Sequence, residues 1–600
     1  MALRRGVRVV FTLIGMAMLV SMAGVVFLVL LVSRGPHIPD EATLVLRPGG
    51  AMQETPPDDF VGQLVGRDRA TVRGLVDSLR MAKRDPRIAN VLLMPSTLES
   101  PFWGKVQELR DAILDFRTSG KRVIAFLEYG GDREYYLASA ADKIFLLPTS
   151  PLDVTGVASY EVFLRGALDT LAAYPDFLHV GEYKTAVNQF TETHFTRAHR
   201  EMSESLNRDL YEQLVRGLAE ARHTSVADVR ALLDEGPFAP EAALRHGLVD
   251  GLAYDDQLDD RVRELRLGSG EMRRVEGADY QRVTPRSLGI RPRSRIAVLY
   301  ASGTIVSGRS GYDATSGQTV GSDTFVDQIR RVRGDASIKA IVLRIDSPGG
   351  STVASDVIWR ELMITRDEQP QRPLIASMSD LAASGGYYIA LPAQVIVAQP
   401  ATLTGSIGVF MGKVAIGGTL GKVGVTTETV ASGRNADIYS PFERFRPEQR
   451  AKLSEYMQAF YRNFLEKAAA SRHTTAERID AVARGRVWTG QQARQQGLVD
   501  TLGGLDTAVA VARQRAKIPA DEDVEIVVFS ARRSVYEAIA GQLGGSSAGI
   551  GLWPLLTGGA PLGGMLTGGA ESRALAALAA PARLFRRGEP LALMPSAFVR

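Results

Sequence analysis

Residues 377–410 have the sequence S-M-S-D-L-A-A-S-G-G-Y-Y-I-A-L-P-A-Q-V-I-V-A-Q-P-A-T-L-T-G-S-I-G-V-F. The apolar run Pro373–Ser377 predicts a buried strand, and Tyr387–Ala390 predicts a helix. The turn A-A-S-G-G between them places Ser384 at the start of that helix. Small neighbours leave its hydroxyl open, and the glycines let backbone N–H groups face the same point. This presentation is typical of a nucleophile, although an isolated Ser-Gly-Gly is more often a tight turn with a capping serine.

Composition narrows the classes of protein to consider. The 600 residues, with 45% hydrophobic and 23% charged side chains, are typical of a globular protein of a few domains. The net charge of +4 is spread along the chain without a basic stripe, which disfavours a nucleic-acid partner. The absence of cysteine excludes disulfides, a thiol nucleophile and thiolate metal sites. The 7 histidines lack zinc-ligand spacing, so we expect no metal and no cofactor.

The amino-terminal region predicts a membrane anchor. Arg4, Arg5 and Arg8 precede residues 9–32, an uncharged apolar run long enough to span a bilayer. A cleaved signal peptide is the alternative, but its apolar region is normally only about 7–15 residues long and ends at a small-residue cleavage site. The arginines predict that residues 1–8 are cytoplasmic and that the rest of the chain lies across the membrane.

Beyond the anchor, strand-like runs alternate with amphipathic helical segments, which predicts an α/β fold. The sequence also repeats itself. The segment from Asp85 matches that from Asp335, Y-Y-L-A from Tyr135 matches Y-Y-I-A from Tyr387, and G-L-V-D occurs at residues 247–250 and 497–500. Matches in the same order at a nearly constant offset predict two domains of one fold. We place these domains at residues 44–280 and 295–530, joined by a basic linker over 281–294 and followed by a flexible Gly/Pro-rich tail over 531–600.

The two copies differ at the positions where a hydrolase needs a nucleophile and oxyanion donors. In the second copy a predicted strand runs into D-S-P-G-G-S, residues 346–351, whose glycines can aim N–H groups at an oxyanion. The first copy has S-T-L-E-S at residues 96–100, without glycine, and Asp132 at the position equivalent to Ser384. The first copy therefore cannot supply the nucleophile.

A serine needs a base to remove its proton. His473 is the sole histidine of the second copy, and its counterpart His223 has no serine to serve, so a structural or exposed role is favoured for both. The remaining common base is a lysine whose pKa is lowered by burial. Lys184, flanked by small and apolar residues in the first copy, has Ala436 as its counterpart. One copy thus has the serine and the other the lysine, although a lone lysine is more often a solvated surface residue.

These motifs carry a family resemblance. Residues 346–350 (D-S-P-G-G), 383–386 (A-S-G-G), 403–408 (L-T-G-S-I-G) and 181–184 (G-E-Y-K) resemble the long, double-domain form of the signal peptide peptidase A family, also called protease IV. The likeness covers residues 40–530 and the anchor. It implies two tandem domains of the Clp-protease and crotonase fold behind an amino-terminal transmembrane helix.

The resemblance also implies roles for individual residues. Ser384 is the implied nucleophile and Lys184 the general base, with Ser406 orienting the lysine. Gly349, Gly350 and Gly385 are the implied oxyanion donors.

The family is bound to the bacterial inner membrane with its catalytic part in the periplasm. It therefore implies released signal peptides as substrates, the lipid bilayer as a partner through residues 9–32, and a homo-oligomer, a tetramer by analogy.

Two other functions are considered. Acyl-CoA chemistry uses a similar oxyanion loop, but coenzyme A would not be available in the periplasm. A membrane-tethered scaffold or quality-control binding protein with a vestigial dyad is the non-enzymatic alternative. Retention of the serine-site elements in one copy, beside their loss in the other, favours an active peptidase.

Overall fold

The structure is a computed structural model that describes Met16, Gly24 and residues 36–54, 71–264, 273–313, 317–529, 590–594 and 598–599. The predicted anchor therefore lies outside the described residues, apart from Met16 and Gly24. Within the ranges just given, none of the helices is both long enough and apolar enough to cross a membrane. The anchor stays a prediction.

The first copy is an α/β unit built on a parallel sheet. Its strands are β1 (Ala42–Leu46), β2 (Ile88–Leu93), β3 (Arg122–Leu127), β4 (Gly130–Gly131), β5 (Lys143–Leu146), β6 (Leu152–Asp153), β7 (Ser159–Tyr160), β8 (Tyr174–Val180), β9 (Gly251–Leu252) and β10 (Arg273–Glu276). Its helices are α1 (Val72–Arg84), α2 (Gly104–Arg117), α3 (Asp132–Ala138), α4 (Arg165–Thr170), α5 (Asn188–Thr191), α6 (Arg197–Arg222), α7 (Val226–Glu235), α8 (Pro240–Arg245), α9 (Leu258–Glu264) and α10 (Gly277–Tyr280).

The second copy is built from the same kinds of element. Its strands are β11 (Ser294–Ser302), β12 (Thr304–Val306), β13 (Gly311–Asp313), β14 (Gly317–Gly321), β15 (Ile338–Ser347), β16 (Gly349–Ser351), β17 (Leu374–Ala383), β18 (Val395–Ala398), β19 (Leu403–Gly405), β20 (Val409–Ala415), β21 (Val487–Thr489), β22 (Thr501–Leu502) and β23 (Val524–Val528). Its helices are α11 (Ser322–Gly334), α12 (Thr352–Glu368), α13 (Gly385–Ala390), α14 (Gly417–Lys422), α15 (Pro447–Ser471), α16 (Ala476–Val482), α17 (Gly490–Gln495) and α18 (Leu505–Arg515).

The two copies share one strand order. The first sheet runs β10-β1-β2-β3-β5-β9, and the second contains the path β23-β11-β15-β17-β18-β22, with every pair parallel. Their central strands are almost continuously apolar and buried, because each sheet is covered on both faces. The predicted α/β fold with an internal repeat is confirmed.

A third sheet joins the copies. Its order is β13-β14-β12-β16-β24-β20-β8, where β24 is Leu591–Leu593. Strand β8 of the first copy pairs antiparallel with β20 of the second, from Tyr174 opposite Ala415 to Val180 opposite Val409. This pairing carries the segment after β8 from the first copy onto the second.

The predicted flexible tail needs a correction over a short segment. Most of residues 531–600 lies outside the described part of the chain, but β24 is an ordered strand, and β25 (Phe598–Val599) pairs with β7. Composition does not indicate this, because β24 obtains its backbone partners from strands more than 170 residues away in sequence.

Candidate active site

Ser384 lies in the sharp connection between β17 and α13. Its backbone has φ 55° and ψ −111°, in a region that non-glycine residues rarely adopt, and its N–H donates to the carbonyl of Gly405 at 2.8 Å. Such local strain persists only where the surrounding structure enforces it, and it is common at functional sites. The predicted strand, turn and helix are all confirmed here.

The glycines after Ser384 allow this turn to approach a neighbouring loop. A Cβ at Gly385 would lie 2.6 Å from Ser355 Oγ, and one at Gly386 would lie 2.7 Å from the carbonyl oxygen of Ser347. Any larger residue would push the turn away from the loop that follows β15.

Gly349 and Gly350 form that loop. Their φ values of 101° and 152° are strained for residues with a side chain, and the hypothetical Cβ at Gly385 would lie 3.2 Å from the Gly350 nitrogen. The Gly349 N–H donates to Ser347 Oγ at 3.2 Å, so this donor already has a partner. The structure thus brings the three predicted oxyanion glycines together beside Ser384.

Lys184 comes from the first copy, at the start of the 3₁₀ turn Thr185–Val187 that follows β8. Its Nζ lies 2.8 Å from Ser384 Oγ, 3.0 Å from Ser406 Oγ and 3.0 Å from the Ser406 carbonyl oxygen. All three side chains are buried. The arrangement of serine, lysine and orienting serine predicted from the sequence is therefore present as geometry.

Burial sets the charge state of Lys184. Removal of its amine from water lowers the pKa of Lys184 well below the usual value for a lysine. The Lys184 amine therefore loses its proton at a lower pH than the amine of an exposed lysine. In its neutral form it can accept a proton from the Ser384 hydroxyl, whose oxygen is 2.8 Å away.

Sequence reasoning missed Gly485. A Cβ at this position would lie 2.4 Å from the backbone nitrogen of Lys184, and Gly485 has φ 83°. The adjacent Arg484 accepts a hydrogen bond from the N–H of Tyr183 at 2.9 Å, which fixes the lysine segment on the second copy. The change from Glu235 in the first copy to Gly485 in the second was the available signal.

A charged cluster links the loop to the first copy. Lys105 on α2 contacts Asp346 at 2.6 Å and Asp380 at 3.5 Å, and its backbone N–H donates to Asp380 at 2.8 Å. Burial opposes the ammonium form, but Asp346, Asp380 and Glu54 outweigh it and raise the pKa of Lys105. Lys105 is therefore charged and holds Asp346, which lies near the end of β15, just before the glycine loop formed by residues 348–351.

For His223 and His473 the sequence predicts a structural or exposed role. His223 and His473 are exposed and have φ values of 53° and 50° just after α6 and α15. Over the ranges that the structure describes, no group of three or more His, Cys, Asp or Glu side chains could hold a metal ion.

Comparison with known proteins identifies the family. The model of peptidase family S49 matches residues 115–267 and 366–519. "Serine protease SPPA, chloroplastic" of Arabidopsis thaliana is 35% identical over 481 residues, 79% of this chain and 70% of that protein. "Protease 4" of Salmonella typhi is 35% identical over 455 residues, 74% of this chain and 72% of that protein.

Among solved structures, a mutant of a membrane-bound stomatin-specific protease is similar, with a TM-score of 0.24 and 18% identity, covering 40% of this chain and 99% of that one. The family model and the two relatives confirm the resemblance found in the sequence, and they favour a serine peptidase over acyl-CoA chemistry or a scaffold. This chain belongs to peptidase family S49 and is a serine peptidase.

Proposed function

We propose that this chain is a membrane-anchored endopeptidase that degrades released signal peptides with a dyad of Ser384 and Lys184. The observation that carries the proposal is the 2.8 Å separation of Lys184 Nζ and Ser384 Oγ in a buried site formed by both copies. His473, the sole histidine of the second copy, is exposed, which favours Lys184 over it as the base.

The reaction begins when Ser384 Oγ attacks the carbonyl carbon of a peptide bond while neutral Lys184 takes its proton. Negative charge develops on the carbonyl oxygen, and the N–H groups of the glycine loop and of Gly385 stabilise it. Of the loop donors, Gly349 has to exchange its bond to Ser347 for the oxyanion.

The Lys184 ammonium then gives its proton to the leaving amine, which departs and leaves an acyl ester on Ser384. Water attacks this ester with Lys184 again as base, and the carboxylic acid product is released with Ser384 restored. Ser406 supports both steps, since its hydroxyl and carbonyl oxygens hold the lysine nitrogen.

Released signal peptides suit the surroundings of the dyad. Their cores are apolar runs of about 7–15 residues. Two buried apolar clusters adjoin the dyad and draw on both copies: one contains Phe177, Ala186, Val187, Phe190 and Phe410, and the other contains Met202, Ala383, Leu403 and Val487. The anchor over residues 9–32 would hold the enzyme in the membrane where such peptides are released, and we propose a homo-oligomer there.

Fluorophosphonate labelling tests the dyad. The purified full-length chain should be labelled at Ser384, as located by mass spectrometry, and Ser384→Ala should not be labelled. Lys184→Ala should be labelled far more slowly, whereas the His473→Ala control should match wild type. Labelling at another serine, or normal labelling without Lys184, would reject the mechanism.

Carbonate extraction of membranes, followed by sedimentation of the detergent-solubilised protein, tests the anchor and the oligomer.

A further inference from the structure

Strand β24 lies between β16, which carries Gly349 and Gly350, and β20 in the sheet that joins the two copies. It runs antiparallel to the glycine-loop strand β16, with Leu593 opposite Gly349 and Leu591 opposite Ser351. On its other edge Leu591 pairs with Phe410 of β20. The Met594 N–H donates to the carbonyl of Pro348 at 2.9 Å, which extends the ladder to the residue before the two glycines.

The side chains of this segment belong to two buried apolar clusters, named here the leucine pocket and the methionine pocket. Leu591 and Leu593 pack against the leucine pocket, which is formed by Phe177, Ala186, Val187, Phe190 and Phe410. Met594 packs against the methionine pocket, which is formed by Met202, Ala383, Leu403 and Val487. Leu591, Ala592, Leu593 and Met594 are each at most 8% exposed. Both pockets adjoin the dyad in sequence. Ala186 and Val187 of the leucine pocket lie on the turn that begins at Lys184, and Ala383 of the methionine pocket directly precedes Ser384.

We infer that residues 590–594 are a built-in competitive inhibitor that occupies the peptide-binding cleft. The inference rests on the proposed function. An extended substrate peptide in this cleft needs the backbone edges of β16 and β20, and β24 uses both. The two occupants therefore exclude each other.

The seated segment also indicates what the cleft accepts. It is an extended, uncharged peptide whose two leucines, two residues apart, pack in the leucine pocket while Met594 packs in the methionine pocket, so the preferred substrates are apolar peptides of the same pattern.

The sequence of the segment favours inhibition over cleavage. Met594 packs in the same apolar cluster as Ala383, the residue before Ser384, which makes the peptide bond after Met594 a candidate for cleavage. That bond leads into Pro595, whose ring nitrogen carries no hydrogen and makes a tertiary amide with a restricted chain. We therefore expect slow cleavage of the bond between Met594 and Pro595.

The first test expels the strand. Leu591→Asp with Leu593→Asp places two carboxylates against the apolar leucine pocket and should empty the cleft. If the tail occupies the cleft about nine-tenths of the time, its removal lowers the KM for an apolar fluorogenic peptide about tenfold with kcat unchanged. Fluorophosphonate labelling of Ser384 should accelerate by the same factor. The matched control makes the same change at Leu555 and Leu556, earlier in the tail, and should leave both values as in wild type.

A second variant breaks the backbone pairing without adding charge. Ala592→Pro removes the N–H of the central residue of β24 and should reproduce the lower KM. A synthetic peptide E-P-L-A-L-M-P, the sequence of residues 589–595, should then inhibit either variant competitively, and a scrambled peptide of the same composition should not.

The outcomes separate the two proposals. Active variants with the KM and labelling rate of wild type, and no inhibition by the peptide, would overturn the inhibitor and leave the peptidase mechanism intact. Failure of wild type and both variants to react at Ser384 would overturn the proposed function itself. Cleavage of the tail after Met594, visible in the intact mass of wild type and absent from Ser384→Ala, would make the segment a substrate and also overturn the inhibitor.

Discussion

At the start of the equivalent helices α3 and α13, the first copy carries Asp132 and the second carries Ser384. The Asp132 carboxylate accepts hydrogen bonds from the N–H groups of Thr155 at 3.0 Å and Gly156 at 2.9 Å. Glu134 accepts from the N–H of Leu98 at 2.7 Å, in the loop equivalent to the glycine loop. In the first copy, therefore, internal carboxylates already accept hydrogen bonds from the backbone at the positions equivalent to Ser384 and Gly386.

The framework around these positions is the same in both copies. The hydroxyl of Tyr135 donates to Leu248 at 2.6 Å, and that of Tyr387 donates to Leu498 at 2.9 Å. Arg222 and Arg472 likewise donate to the carbonyls of Gly247 and Gly497. Residues shared by the copies support the fold, and the residues proposed to carry the chemistry are among those that differ.

The most damaging changes should be those in residues that the copies do not share. Ser384→Ala and Lys184→Ala should each lower kcat/KM by about 10³-fold or more, and the double variant should be scarcely worse, because the two groups act as one unit. Hydrolysis of an apolar fluorogenic peptide measures this. An additive loss in the double variant would argue against a dyad.

Contacts between the copies should matter next. Lys105→Met leaves Asp346 and Asp380 without their cation in a mostly buried site, which should lower the free energy of unfolding by about 3–5 kcal/mol. The control is Lys143→Met, which breaks a more exposed pair with Asp250 and should cost at most about 1 kcal/mol. Urea denaturation compares the two, and equal losses would show that Lys105 is not an anchor between the copies.

The sequence contained enough to propose the dyad of Ser384 and Lys184 but not the contacts around it. Ser384 and Lys184 were proposed because the repeat puts Asp132 and Ala436 at their equivalent positions and because their motifs resemble those of the family. The strands were predicted because buried parallel strands have a continuous apolar pattern. The ion pair of Lys105 and Asp346 depends on how the copies dock, which no local pattern encodes. Strand β24 exists only through its partners, since its few residues between prolines have no strand signal of their own.

The charge state of Lys184 gives a prediction for stability. The pKa of Lys184 in the folded state lies below its value of about 10.4 in the unfolded chain. Between these two pKa values the unfolded chain holds a proton on Lys184 and the folded protein does not. The burial cost is therefore full below the folded pKa and disappears as pH rises to about 10.4. Each unit of depression costs about 1.4 kcal/mol.

Lys184→Met should consequently gain stability relative to wild type at neutral pH, and the gap should close toward about pH 10. Urea denaturation at several pH values measures the slope of this difference, to which the lost hydroxyl contacts add only a constant. The kcat/KM of wild type should rise with pH along the same ionisation, unchanged in His473→Ala. A flat stability difference would mean that the lysine is charged in the folded protein.

The smallest effect should come from the first copy. Asp132→Ala leaves the N–H groups of Thr155 and Gly156 without their acceptor, which should lower the free energy of unfolding by about 1–3 kcal/mol while kcat/KM stays at the wild-type value. A fall in kcat/KM at full stability would show that the first copy takes part in the chemistry through more than Lys184.

Asp132→Ser on the Ser384→Ala background extends this test. It restores a serine at the equivalent position, but Ala436, the counterpart of Lys184, is exposed and offers no amine, and Glu134 still binds the loop. We expect no peptide hydrolysis and no fluorophosphonate label at residue 132. Labelling there would mean that the shared framework can activate a serine without a lysine, and the division between supporting and chemical residues would fail.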